Sequence, residues 1–316
     1  MTLLIAYVID LMFGDPAHLP HPIRYIGKWI HFLEKKLLNL EDSPENQKTK
    51  GIFLVVGTVG AVFLFYTALI WCMNWVNPWI GATVEVFVLY QMLATKCLAF
   101  EGMRIFKVLK EGRLDEARVL IGYLVSRETS AMSEEEIIKA TIETVTENII
   151  DGVVAPMCFA VLGGAPLGMA YKAANTLDSM VGYKNDKYTH FGWASARFDD
   201  LLNWLPARLT GILVIIASML MGMDFKRAAY VLIRDRHNHA SPNSPYSEAP
   251  SAGALRIQLG GRATYFGVTY EKPTFGDAVE VIRPYHIKKA VSLLYATSAL
   301  ALVALAVIQK GLELVF

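Results

Sequence analysis

IFLVVGTVGAVFLFYTALIWCM, residues 52–73, runs for twenty-two positions without a charged side chain. A helix of that length covers the roughly 30 Å hydrocarbon core of a bilayer. AVSLLYATSALALVALAVIQ, residues 290–309, repeats the pattern near the other end of the chain. Between them lie three further apolar stretches: 79–100, which carries Glu85 and Lys96; 152–171; and 201–223, which carries Arg208. Composition agrees with a membrane setting. Hydrophobic residues make up 54% and charged residues 19% of the 316, with mean hydropathy +0.36, where soluble domains carry about 25% charged residues. The expected fold is all-α: a polytopic membrane helix bundle, one integral membrane domain over residues 1–316, with amphipathic or re-entrant helices and cytoplasmic loops. EDSPENQKTK, residues 41–50, reads as a loop, and about 224–289 as a long cytoplasmic one.

Basic residues gather in Arg24–Lys50, Arg104–Lys139 and Lys226–Lys289, which the positive-inside rule places in the cytoplasm. A short external hairpin is expected near Asn74–Pro78, with Trp71, Trp75 and Trp79 as an interfacial belt. If 152–171 and 201–223 both spanned, the polar loop Lys172–Asp200 would lie outside, so a buried or re-entrant arrangement facing a cytoplasmic cavity is expected instead. TLLIAYVIDLMF at the N-terminus is short, has no basic residue before it and runs into GDP, which does not describe a signal peptide. A formal net charge of +1 gives no electrostatic case for nucleic acid. Cys72, Cys97 and Cys158 sit in apolar stretches without C-x-x-C spacing and read as small hydrophobes.

Chemistry concentrates where ATIETVTENIIDGVVAP, residues 140–156, places Glu143, Glu147 and Asp151 four residues apart. On a helix they share one stripe and repel one another unless water or a cation offsets them. Ser133 and Glu136 form a capping box that opens this helix, and Glu136 lies on the same stripe, as it would on an ordinary solvated face. Against that stand the twenty uncharged residues that follow Asp151. Asn175, Asp178, Ser179 and Gly182 in NTLDSMVG share one helix face, and FGWASARFDDLLNWLPAR adds Arg197, Asp199, Asp200, Asn203 and Arg208. Acids and amides at membrane depth are costly unless paired, so several such sets suggest a hydrated, cation-bearing cavity. Oxygen-only ligands point to Mg²⁺. His237 and His239, beside Arg234 and Arg236, read as a basic patch for an anion; neither they nor His18-x-x-His21 have the cysteine partners of a zinc site. No P-loop or G-x-G-x-x-G is present.

GDP followed by HPIRYIG, then SRETS, ATIETVTENIIDGVVAP, NTLDSMVGY, FGWASARFDDLLNWLPAR, RDRHNHASPN and AGALRIQLGG, in that order over nearly the whole chain, resemble the adenosylcobinamide-phosphate synthase family of cobalamin biosynthesis. In SPNSPYSEAPSAGAL the chain departs from that pattern: Pro245, Ser247 and Pro250 stand where glycine, proline and alanine are expected. The resemblance implies a multi-pass inner-membrane enzyme with its active site facing the cytoplasm. It implies a carbon–nitrogen ligase that joins a corrinoid, adenosylcobyric acid, to aminopropanol or aminopropanol phosphate through an amide bond, with ATP as co-substrate and Mg²⁺. Membrane lipids and other membrane-bound cobalamin-assembly enzymes are the expected neighbours.

On that reading Glu143, Glu147, Asp151 and Asp178 are the catalytic candidates, and Glu147, Asp151, Asp178, Asp199 and Asp200 the metal candidates. One of these acids would deprotonate the incoming ammonium. Arg24, Arg127, Asn175, Lys184, Arg197, Arg208, Arg234, His237 and Asn243 are the candidates for holding substrate or its phosphates, arginine being suited to bidentate contact. Two other classes stay open on the residues alone. DDLLN and NTLDS loosely mimic the Asp-rich motifs of an intramembrane Mg²⁺-dependent prenyltransferase, and intramembrane acids also suit an ion-coupled transporter, although no internal repeat is present.

Overall fold

The structure is a computed structural model that describes residues 1–16, 20–265 and 268–315. In chain order its elements are α1 (Thr2–Phe13), α2 (Pro22–Leu37), α3 (Pro44–Val76), α4 (Pro78–Met92), α5 (Thr95–Lys110), α6 (Leu114–Gly122) and α7 (Glu134–Ile149). A π-helical segment, Ile150–Val154, leads into α8 (Ala155–Val181), α9 (Trp193–Leu202), α10 (Trp204–Leu220), α11 (Phe225–Asp235) and α12 (Pro245–Leu255). The antiparallel strands β1 (Gln258–Tyr265) and β2 (Val268–Gly276) and the helix α13 (Tyr285–Val315) complete the chain.

Polar residue plus proline is the helix-start signal of this sequence. His21, Ser43 and Asn77 each precede a proline at the first helical position, and each side chain accepts a hydrogen bond from a backbone N–H of the first turn. The second of these corrects the reading of 41–50 as a loop. Ser43 caps α3, so the helix begins at Pro44 and extends beyond the span 52–73. Asn77 closes α3 and opens α4, giving the tight hairpin expected there, with Trp71, Trp75 and Trp79 between 69% and 83% exposed.

Among the described residues, four helical runs are long and apolar enough to cross a membrane: Pro44–Val76, Pro78–Lys110, Glu134–Val181 and Tyr285–Gly311. Counting the α9–α10 pair, bent by 47°, as one span makes five. These runs contain or overlap all five apolar stretches of the sequence. The third is not a straight rod. Gly163 and Gly164 leave helical geometry and Pro166 follows, after which the rings of Phe159 and Tyr171 stack with centroids 5.0 Å apart. Twelve residues of straight helix would separate them by about 18 Å. The chain therefore doubles back at the glycine pair as a helical hairpin, which requires a residue free to take φ +64° at Gly164.

The chain forms two compact units. The first comprises 1–94, 155–203 and the end of α13 from Leu305; the second comprises 95–154 and 204–304. In the first, α3 packs against α2, α4, α8 and α9, and α1 lies on α4. Contact is close enough that a Cβ on Gly51 would stand 2.1 Å from the carbonyl oxygen of Phe191. In the second, α12 packs on α7, α10, α11 and the hairpin, α5 on α7, and Val214 and Ala217 of α10 on Leu293 of α13. The stretch 224–289, expected as a long loop, is corrected by these elements. Asp224 caps α11, whose apolar residues Ala228 and Val231, one turn apart, are buried, and α12 is buried along almost its whole length, which offsets the loss of a backbone donor at Pro250.

Candidate functional site

The capping box read from the sequence starts α7: the Ser133 hydroxyl accepts from the Glu136 amide, and the Glu136 carboxylate accepts from the Ser133 amide at 2.7 Å. From that start the 3.6-residue period turns Ile137, Ile138, Thr141, Ile142 and Val145 into the unit and leaves Glu143 and Glu147 half-buried on one side. Neither faces open water alone. Glu143 Oε2 accepts from Arg127 Nη2 at 2.6 Å, and Oε1 accepts from the backbone N–H of Gly260 at 2.8 Å. The side chains of Arg127 and Glu143 are only 10% and 14% exposed. Gly260 makes its contact from β1 at φ +78°, where a Cβ would lie 2.3 Å from the Pro273 carbonyl oxygen, so a larger residue would push the strands apart. A cleft of about 380 Å³ opens beside this pair, lined by polar groups of Ser130, Ser133, Glu135, Lys139, Arg262 and Thr274.

One turn further on, Glu147 Oε1 accepts from Ser244 Oγ at 2.9 Å. Its other oxygen makes no hydrogen bond among the described residues. Ser244 is held by the turn that precedes α12, where the Ser241 hydroxyl accepts from the amides of both Asn243 and Ser244. The same turn fixes His239, whose Nδ1 accepts from the Ser241 amide at 3.0 Å. Burial lowers the imidazole's pKa, while the charges of Glu147 and Glu143 pull it up less strongly. Asn243, 5% exposed, accepts through Oδ1 from Arg208 Nη1 at 3.0 Å. The Arg208 guanidinium is sandwiched between the rings of Trp204 and Tyr246, 4.4 and 4.3 Å from their centroids. Asp151, half-buried, is the second residue of the π-helical segment; such segments favour functional sites.

Glu248 was not among the sequence candidates. It lies on α12 one turn after Ser244, 3% exposed, and its side chain makes no hydrogen bond among the described residues. Burial, reinforced by the charges of Glu147 and Glu143, raises its pKa well above the ordinary carboxylate value. The folded state thus binds a proton that the unfolded chain releases. Stability carried by that proton is complete below the unfolded pKa and is lost as pH rises toward the folded one, by at most about 1.4 kcal/mol per pH unit. Glu248→Gln is therefore expected to raise the melting temperature more at pH 9 than at pH 5. Parallel pH profiles for the two proteins would show that Glu248 is already solvated.

The basic patch divides. His237 is exposed at the surface. Arg234 spends four of its five donors on protein acceptors: Asp235 through Nε and Nη2 at 2.6 and 2.7 Å, Asp277 at 2.9 Å and the Gly276 carbonyl at 3.3 Å. It ties α11 to the end of β2. His18 lies outside the described residues.

The remaining candidates belong to the first unit. Asp199 is 8% exposed, and its two oxygens accept from the amides of Asn175 at 3.3 Å and Asn203 at 3.0 Å. Tyr171 hydroxyl donates to Asn203 Oδ1 at 2.9 Å, completing a buried chain from α8 to α9. Asp178 lies over Gly182, where an added Cβ would meet its Oδ1 at 1.9 Å. Asp200 is half-buried with Arg197 Nη1 at 3.7 Å, and Arg24, Lys184 and Arg197 are exposed. Sequence reading also missed Glu34, buried on the Ile26–Ile30 stripe of α2, which accepts from Tyr188 hydroxyl at 2.7 Å and pairs with Lys187 at 2.8 Å. Those bonds outweigh the upward push of burial and hold its pKa below the usual value. Among the described residues no group of three or more His, Cys, Asp or Glu side chains is placed to hold a metal by itself.

Apolar helices of spanning length around half-buried carboxylates, arginines and amides define a membrane protein of the helical-bundle class with a polar site. The chain belongs to the CobD/CbiB family of cobalamin biosynthesis proteins: the family described as CobD/Cbib protein matches residues 3–294. Cobalamin biosynthesis protein CobD of Photorhabdus laumondii subsp. laumondii is 44% identical over 304 residues, covering 96% of this chain and 95% of that protein. CobD of Clostridium perfringens is 43% identical over 315 residues, covering 100% and 99%. CbiB of Salmonella typhimurium is 42% identical over 316 residues, covering 99% of each. No solved structure matches the chain.

Proposed function

We propose that the protein is an adenosylcobinamide-phosphate synthase that condenses a corrinoid carboxylate, that of adenosylcobyric acid, with aminopropanol or its phosphate at the expense of ATP. The observation that carries the reading is the Glu147–Ser244 contact. It ties the motif segment ATIETVTENIIDGVVAP to Ser244, the residue directly after the motif segment RDRHNHASPN and nearly a hundred residues away in sequence, and so gathers Glu143, Arg127, His239 and Asn243 on one polar patch. A carboxylate does not condense with an amine until it is activated, here as an acyl phosphate, and phosphoryl transfer relies on charge clamps and positioning. Arg127 and Arg208 are the residues of this unit suited to hold phosphate oxygens. Glu147, with one oxygen uncommitted, is suited to take a proton from the ammonium before the amine attacks the activated carboxyl.

The donor set also fits Mg²⁺, which binds one or two carboxylates and completes its shell with water and substrate phosphates, and which would neutralise phosphate charge when bound. Glu147 and, one turn on, Asp151 are the sequence candidates for metal ligands in this unit, whereas both oxygens of Glu143 are spent on Arg127 and Gly260. In the first unit the oxygens of Asp199 face two amides, an arrangement of structural support. Purified protein with ATP, Mg²⁺, adenosylcobyric acid and aminopropanol phosphate should form the amide and ADP. Absence of product, with binding of a prenyl diphosphate or ion-coupled uptake into vesicles, would support one of the other two classes.

The site is proposed to face the cytoplasm of an inner-membrane protein. Cysteines placed at the exposed Glu41 and Asn238 in a Cys72→Ala background are expected to resist a membrane-impermeant maleimide in intact cells and to react after lysis. Labelling of either in intact cells would reverse the orientation.

A further inference from the structure

α2 presents three faces. Ile26, Ile30 and Glu34 are buried in the first unit. Arg24, Lys28, His31 and Lys35 form an exposed polar edge. Between these two faces, Tyr25, Trp29, Phe32 and Lys36 follow one another at helical spacing, and the three rings are 60%, 40% and 45% exposed. Beside this aromatic stripe runs a groove of about 650 Å³, lined by Pro20, Pro22, Ile26, Ala61, Phe65 and Tyr66 as well as Tyr25 and Trp29, without one charged group. Its volume lies within the range of about 300–1,000 Å³ usual for small-ligand sites.

The groove has a direction. Its lining sets the first two turns of α2, Pro22 to Trp29, against Ala61, Val62, Phe65 and Tyr66, near the middle of the apolar run of α3. Leu33, three turns after Pro22, lies 3.6 Å from a Cβ placed on Gly57. α2 thus runs antiparallel to α3, and Lys36 stands toward the end of α3 where the apolar run begins at Ile52. Its Nζ sits 4.4 Å from the centroid of Phe32, the posture of a lysine whose stem lies on apolar surface while its charge reaches the interface. The exposed ionisable groups of α2 are basic throughout, since its one acid, Glu34, is buried against Lys187 and Tyr188.

We propose that this groove binds one anionic phospholipid, its acyl chain lying along Tyr25, Trp29 and Phe65 and its phosphate resting on Lys36. An apolar groove at acyl depth beside a helix whose same stripe carries a cation, Lys36, further toward headgroup height matches both halves of such a lipid, and the absence of an exposed acid on the helix favours a headgroup with net negative charge.

The test is native mass spectrometry of the full-length protein extracted from bilayers of equal phosphatidylglycerol and phosphatidylcholine. The wild type is expected to retain phosphatidylglycerol in preference to phosphatidylcholine. Lys36→Ala should reduce that retention about fivefold, the effect of one lysine near an anionic surface. Ala61→Trp, which fills the groove, should abolish retention of both lipids. If Ala61→Trp does not fold, Lys36→Ala, an exposed position, decides alone. Equal retention of the two lipids, or wild-type retention by Lys36→Ala, would overturn the proposal and leave ordinary annular lipid. Neither residue belongs to the catalytic patch, so the result stands apart from the reaction assay.

Discussion

Arg127→Ala is expected to lower the stability of the folded protein by about 3–5 kcal/mol, as for other buried ion pairs cut on one side. The guanidinium is one of two groups that satisfy the Glu143 carboxylate, and the two side chains are only 10% and 14% exposed. Removing it leaves a charge with only the Gly260 amide as partner, and desolvation then costs more than the remaining bond returns. Thermal unfolding in detergent measures the loss. Arg127→Met with Glu143→Leu, which removes both charges and keeps the volume, should unfold closer to wild type. A loss under about 1 kcal/mol for Arg127→Ala would reclassify the pair as a solvated surface contact.

Glu147→Gln is expected to reduce amide formation by at least about a hundredfold, as removal of a general base does, with the melting temperature little changed. Gln keeps a carbonyl oxygen for the Ser244 hydroxyl, so the link between α7 and the turn before α12 survives. What disappears is the charge that would take the ammonium proton or hold Mg²⁺. Turnover near the wild-type rate would return this helix to an ordinary polar face. Turnover lost together with a large fall in melting temperature would instead mark Glu147 as a structural anchor.

Much of the architecture is readable from local rules. The uncharged runs 52–73 and 290–309 are legible as spans, because burying charge in hydrocarbon is costly whatever the neighbours, whereas the equally uncharged 152–171 turns back at its glycine pair. A polar residue before proline starts α2, α3 and α4, and Ser133 with Glu136 starts α7, because those interactions close within one helical turn. Local rules also fail locally. Read by its charges, 41–50 looked like a loop, yet Ser43–Pro44 inside it is a helix start. Read by its basic residues, 224–289 looked like one long loop, yet α11 carries a cap at Asp224 and a buried stripe, signals of the same kind as those trusted elsewhere.

By itself the sequence determined the class of the protein, the positions of its apolar runs, the stripe shared by Glu143 and Glu147, and the motif series that marks the family. Period and composition decide these, and both are properties of short segments. Only the tertiary structure decided which charges were already spent. Arg234 looks like a free phosphate clamp until Asp235 and Asp277 close on it, and Asp199 looks like a metal ligand until Asn175 and Asn203 face it. Glu248 looks like one more surface acid between two prolines until α12 is buried around it. The doubling back of α8 depends equally on packing: the glycine pair permits it, and the stacking of Phe159 on Tyr171 realises it. The physical reason is common to all four. The state of a charge or a hinge depends on what lies within a few ångströms of it, and those neighbours come from segments that sequence order keeps far apart or sets along a straight helix.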